Sequence, residues 1–226
     1  MNPEAFTSDI QLFHGKLKMP LVQLPLTSAL VTLSTGKVLL APHPSLTADE
    51  LRGMGVVTDI VAPNLFHHLG IAHAVAAHPQ ARLWGVAGFE RKRKDIAWGA
   101  FLEAGQWPHQ QELVAVQLGG MPTINEFVFF HPLSKTLFVT DLCFNILESP
   151  GVGAWLVYHL FGTYQRFACS KLLMKRIEDR AAFEKSLAMV FAHDFDRIVM
   201  CHGSVVHSAG RAALRAALRE RGFEAG

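Results

Sequence analysis

Asp59-Ile60-Val61-Ala62-Pro63-Asn64-Leu65-Phe66-His67-His68-Leu69-Gly70 is the stretch on which the reading of this chain turns. Asp59 to Ala62 is a short apolar run closed by Pro63, the pattern of a buried strand from which the chain must then leave the sheet. Two adjacent imidazoles follow, in a stretch bounded by Asn64 and Gly70. On a strand, neighbouring side chains point to opposite faces, whereas in an irregular loop both can turn toward one point. Upstream, Ala29 to Leu33 and Lys37 to Leu40 flank Ser34-Thr35-Gly36 as a hairpin, with Gly36 supplying the turn. Thr47 before Ala48-Asp49-Glu50 reads as the N-cap of a short helix that stops near Gly53 or Gly55. Downstream, Gly70 to Ala77 is Ala-rich and helical ahead of Pro79, and Arg82 to Val86 reads as the next strand.

The second half repeats this plan. Glu112 to Leu118, Glu126 to Phe130 and Thr136 to Thr140 are strand-like, the middle one through its aromatic FVFF run. Trp155 to Cys169 and Ala181 to Ala192 read as helices, Arg197 to Cys201 as a strand, and Ser208 to Arg221 as a terminal helix. No low-complexity linker interrupts the 226 residues, so a single domain is expected. Two pseudo-repeat halves, roughly residues 20–110 and 111–226, each with strands first and helices after, predict an α/β fold of four layers, an αββα sandwich.

Composition narrows the function. With 50% hydrophobic and 18% charged residues, disordered and coiled-coil readings fail. A formal net charge of +2 is too small to imply a nucleic-acid partner or an acidic membrane surface. The three cysteines, Cys143, Cys169 and Cys201, show no Cys-x-x-Cys spacing, so neither a disulfide framework nor a cysteine-rich zinc site is indicated and a reducing, cytoplasmic setting is expected. Met1 to Met19 has no run of signal-peptide type. Ile60 to Ala81 and Ser149 to Gln165 lack charges, but the first holds four His and two Pro and the second is too short to span a bilayer. The apolar surface around Trp155 and Phe161 suits a homodimer interface, and a lid over a pocket would look the same.

Polar residues gather where the strands end, which is where α/β sheets build sites for small molecules. His67 and His68 follow the first such strand, Asp141 follows Thr136 to Thr140, and His202-Gly203 follows Arg197 to Cys201. Asn125 and Glu126 enter the FVFF strand after Gly119-Gly120-Met121-Pro122. Imidazole and carboxylate are the donors that zinc and other borderline divalent ions prefer, and such a site needs three or four of them together. For any one histidine, a hydrogen bond within its loop is the more ordinary role; the set of four is harder to dismiss. Asn64 reads first as a turn residue and Glu126 as a strand-edge charge, with a ligand role for each as the alternative. His131, before Pro132, reads as a turn residue, and Glu90 to Asp95 as a solvated surface loop.

In this order the residues resemble the metallo-β-lactamase superfamily: a strand, a His-rich loop with a following Gly, a later strand ending in Thr140-Asp141-Leu142, and a last strand ending in His202-Gly203. Ala62 to His68 and Asn125 to His131 are similar to an uncharacterised branch classed as a domain of unknown function. The resemblance runs from about Gln23 to Leu218. It implies the αββα fold with a metal site at the edge between two sheets. The family loop's Asp-His falls on His67-His68, while Pro63 and Leu65 stand where its first two His belong. The bridging Asp falls on Asp141 and the final His on His202; the His between the halves has no counterpart, and Glu126 is the nearest substitute. The resemblance thus implies one divalent ion, zinc with iron or manganese as alternatives, held by His67, His68, Asp141 and His202, with Asn64 and Glu126 as additional donors. Asp141 and His67 are the catalytic candidates. The implied activity is hydrolysis of an ester, thioester or amide by water whose pKa the ion lowers toward ~7. The competing expectation is a catalytically silent protein without metal that binds a small ligand or a partner protein.

Overall fold

The computed structural model describes residues 3–148 and 151–224; Met1, Asn2, Ser149, Pro150, Ala225 and Gly226 lie outside it, including the start of the uncharged 149–165 stretch. The chain divides into two compact units, residues 1–17 with 26–108, and residues 18–25 with 109–226.

The first unit carries β1 (Glu4–Ala5), β2 (Ile10–Lys18), β3 (Gln23–Leu33), β4 (Gly36–Leu40), α1 (Ala48–Gly53), β5 (Asp59–Val61), α2 (Ile71–Ala77), β6 (Arg82–Gly85), α3 (Phe89–Lys92) and β7 (Ala100–Phe101); the outermost residues of β2 and β3 fall in the second unit. The seven strands form one sheet in chain order. β1 pairs antiparallel with β2 and β3 with β4, whereas β4, β5, β6 and β7 run parallel. All three residues of β5 are buried, as a parallel strand flanked on both sides requires. Burying Asp59 there is tolerable because its carboxylate accepts from the indole Nε1–H of Trp84 at 2.7 Å, which also satisfies the buried tryptophan. α1 starts as the sequence predicts. The Thr47 hydroxyl accepts from the Glu50 amide at 3.2 Å and the Glu50 carboxylate accepts from the Thr47 amide at 2.8 Å, a reciprocal capping box. β1 and β2 go beyond the sequence reading, and β3 starts six residues before the expected Ala29.

The second unit carries β8 (Val114–Gln117), β9 (Phe127–His131), β10 (Thr136–Val139), β11 (Phe144–Ile146), α4 (Val152–Phe161), β12 (Arg166–Ala168), α5 (Lys171–Met174), α6 (Arg180–Phe191), β13 (Arg197–Met200) and α7 (Gly210–Arg219). Its main sheet has the order β13-β10-β9-β8, with β13 parallel to β10 and the other pairs antiparallel. Phe183, Leu187 and Val190 of α6 and Leu214 and Leu218 of α7 pack in one core with Val128, Leu137 and Ile198 of the sheet. His131 belongs to β9 rather than to a turn and is buried, with Nδ1 2.8 Å from the Ser134 hydroxyl.

The expected helix from Trp155 to Cys169 is corrected: α4 begins at Val152 and stops at Phe161. Gly162, at φ +69°, adopts the left-handed cap that L-residues avoid. The chain then turns to pair β12 antiparallel with β11, Phe144 opposite Ala168 and Ile146 opposite Arg166. No described helix is long and apolar enough to cross a membrane.

Candidate metal centre

β10 and β13 lie side by side and parallel, with Val139 paired to Met200. Two residues beyond each of these stand Asp141 and His202, so the register of the sheet delivers an acid and an imidazole to the same height where both strands leave it. His202 Nε2 lies 3.3 Å from Asp141 Oδ1, and both side chains are nearly closed to solvent. The imidazole is held from two further sides. Its Nδ1 lies 3.1 Å from the carbonyl oxygen of Pro25, which can only accept, so Nδ1 carries a proton there. The ring of Phe144 stacks on it at 4.9 Å with 9° between the planes.

Gly203 makes this corner buildable. Its φ is +99°, and a Cβ on it would stand 2.1 Å from the carbonyl oxygen of Asn145. The close approach lets Asn145 clasp the turn: its amide donates to the carbonyl of His202 at 3.1 Å, its carbonyl accepts from Ser204 at 2.9 Å, and its Nδ2 donates to the Ser204 carbonyl at 2.9 Å.

Glu126 is wholly buried, and its carboxylate is an anchor for the turn that carries Asp141. Oε1 accepts from the amides of Thr140 at 2.8 Å, Asp141 at 3.2 Å and Leu142 at 3.3 Å, and Oε2 accepts from Asp141 at 3.2 Å. Burial pushes its carboxyl up to about 7, with the Asp141 charge adding to the rise and the amides of Thr140 and Leu142 opposing it.

In the first unit, the loop after β5 is shaped by Asn64. Fully buried, its Oδ1 accepts from the amides of Phe66 and His67, each at 2.9 Å, so it acts as the turn residue that its type suggests. His67 is half-buried on this loop. His68 is engaged elsewhere: Arg93 Nη1 donates to its Nδ1 at 2.9 Å and to its carbonyl at 3.2 Å. A guanidinium only donates, so the Nδ1 lone pair of His68 is used and Nε2 carries the ring proton. Burial, then the charges of Lys92 and Arg93, lower the pKa of His68 and so favour its neutral form. It therefore offers no lone pair to a cation as arranged. Arg93 itself departs from the expected solvated loop. Its side chain is only 19% exposed and is fixed by Asp95 at 2.7 Å, while its neighbours in 90–95 remain largely open.

Sequence reasoning brought Asp141 and His202 forward, and the structure sets them together. It did not find Pro25 or Phe144. Pro25 acts through a backbone carbonyl 177 positions from His202, for which no residue type is a signal.

No protein-family model and no curated protein matches this chain. Solved structures do: a metallo-β-lactamase from Pontibacter korlensis aligns at a TM-score of 0.62 and 14% identity, over 94% of this chain and 98% of that one. The chain has the metallo-β-lactamase fold. FIM-1, a metallo-β-lactamase from Pseudomonas aeruginosa in its mono-zinc form, aligns at 0.61 and 14% identity over 98% and 95% of the two chains. The Flv1 flavodiiron core from Synechocystis aligns at 0.63 and 12% identity, over 96% of this chain and 60% of that one. Two mixed sheets with flanking helices are thus shared with lactamases and with a flavodiiron core alike, so the metallo-β-lactamase fold alone does not choose a reaction.

Proposed function

We propose that the protein is a hydrolase of a carboxylic ester, thioester or amide that works with one divalent ion, zinc by preference, held by Asp141 and His202, with His67 as the third donor that the sequence resemblance implies. One observation carries this reading. With Nδ1 turned to the Pro25 carbonyl, His202 directs Nε2 at a carboxylate oxygen of Asp141 3.3 Å away, so two donor atoms of the kind a divalent ion takes stand side by side. Two bases that close repel unless a cation, a proton or a metal ion, lies between them. Two imidazoles and one carboxylate are a donor set of catalytic zinc, which keeps a further position open. The carbonyl behind His202 and the Glu126-held turn behind Asp141 are the outer contacts that fix metal ligands in orientation.

A single ion is favoured over two. His68 is committed to Arg93 and Glu126 to backbone amides, and Pro63 and Leu65 occupy positions where imidazoles would be needed for a second ion. The mono-zinc form of FIM-1 provides a precedent in the same fold. When bound, the ion supplies Lewis acidity and a water of lowered pKa. Asp141 and His202 contribute fixed orientation, and Asp141 a negative charge beside the reacting centre.

The test is turnover of an activated ester and an acyl-thioester panel by zinc-loaded protein, with Asp141→Ala and His202→Ala alongside. Zinc-dependent hydrolysis that falls at least a hundredfold in both variants is expected. No turnover, or turnover indifferent to both changes, overturns the reading in favour of a non-catalytic binding protein.

A further inference from the structure

We propose that a second copy of this chain docks on α4, making the protein an isologous dimer in solution. The observation is an apolar face with no charge in it. α4 contains no Asp, Glu, Lys or Arg in its ten residues. Val152, Leu156 and Leu160, spaced four apart, form one stripe that is 83%, 54% and 71% exposed, and Trp155 beside it is 49% exposed. The stripe continues off the helix. Leu21, 61% exposed, adjoins the start of α4, where a Cβ on Gly153 would meet the Leu21 carbonyl at 2.3 Å.

Taking about 180 Å² for a large apolar side chain, Leu21, Val152, Trp155, Leu156 and Leu160 expose roughly 570 Å². That stands at the top of the ~300–600 Å² of the largest patch on a typical monomer, the size at which such patches are often interaction sites, and is the larger part of the ~800 Å² per partner of a stable complex. The charge pattern selects the occupant. A charged partner finds no counter-charge on α4, and a helix bound in a membrane surface carries Lys and Arg on its polar side, which α4 lacks. An identical uncharged stripe meets both conditions, and a two-fold axis across the helix presents each stripe to the other. Trp155, His159 and Tyr164 give the face a rigid aromatic edge, with ring centroids 4.4 and 4.1 Å apart in succession.

Light scattering of the full chain at about 50 µM, with Leu156→Glu and Leu160→Glu variants, tests this. The expected mass is twice 24.9 kDa for the wild type. Each variant, with its melting temperature retained, should weaken the dimer by about a hundredfold and run as a monomer. A monomeric wild type, or a dimer unmoved by both changes, overturns the proposal, as does a monomer that sediments with phospholipid vesicles. Should the variants misfold, amide exchange of the wild type decides: protection over residues 152–161 that rises with protein concentration supports the dimer, and unchanged protection contradicts it.

Discussion

Gly203→Ala is the substitution whose cost can be worked most fully from the geometry. Two penalties separate. The first is the backbone: at φ +99° an L-residue pays about 1–2 kcal/mol. The second is contact, because the new Cβ would stand 2.1 Å from the Asn145 oxygen and 2.4 Å from its carbonyl carbon, both backbone atoms that cannot swing aside. Relief must loosen the clasp, in which Asn145 bonds to His202 once and to Ser204 twice, at about 1 kcal/mol per bond. The total is about 4–5 kcal/mol, a large part of an ordinary folding free energy of ~5–15 kcal/mol. Gly222→Ala is the internal control, with φ +79° but nothing within 4 Å of the added carbon, so it carries only the first penalty. At ~2–4 °C per kcal/mol for a chain of this size, thermal melts should show a fall of about 8–20 °C for Gly203→Ala and about 2–8 °C for Gly222→Ala. Because the clasp holds the carbonyl of His202, the first variant alone should also lose zinc affinity. Equal melting temperatures in the two variants would refute the close-approach reasoning.

Glu126→Ala strands the amides of Thr140, Asp141 and Leu142 in the core and should cost about 3–5 kcal/mol in urea denaturation; Glu126→Gln keeps the Oε1 acceptor and should cost about 1–2 kcal/mol. His43 is buried, and burial lowers its pKa from the ordinary 6.5, a shift that the Phe13 carbonyl and Glu50 only partly oppose. The unfolded chain therefore takes up a proton near 6.5 that the folded chain takes up only at lower pH, so stability declines as pH falls from about 7 through that window. Melts of His43→Gln should show a shallower decline than the wild type over the same range. Burial also pushes the thiols of Cys143 and Cys169 up, the latter to about 12. Peptide mapping after treatment with a thiol reagent should find both unmodified in native protein and modified in urea.

What could be read from the chain beforehand follows how local each cause is. The Thr47–Glu50 cap is written in four residues, and Asp141 and His202 follow apolar runs that could hardly be anything but strands. Asn64 behaves as its side chain dictates in any turn. The end of α4 was less legible because hydrophobic residues continue past Gly162, and a three-residue strand such as β12 is too short to show alternation. β2 does alternate in burial over Ile10 to Leu12, but Phe13, buried next to Leu12, breaks the pattern. Glu126 looked like a strand-edge charge because sequence does not reveal that three consecutive amides of a later turn converge on it. The engagement of His68 depends likewise on Arg93, 25 positions away in a run that reads as surface.

The central claim is that these donors hold one ion. Elemental analysis of protein purified without added metal, followed by zinc titration calorimetry on the stripped chain, measures it directly. One zinc site per chain, abolished by His202→Ala and by Asp141→Ala, is the result predicted. Two ions per chain, or none in the wild type, contradicts it.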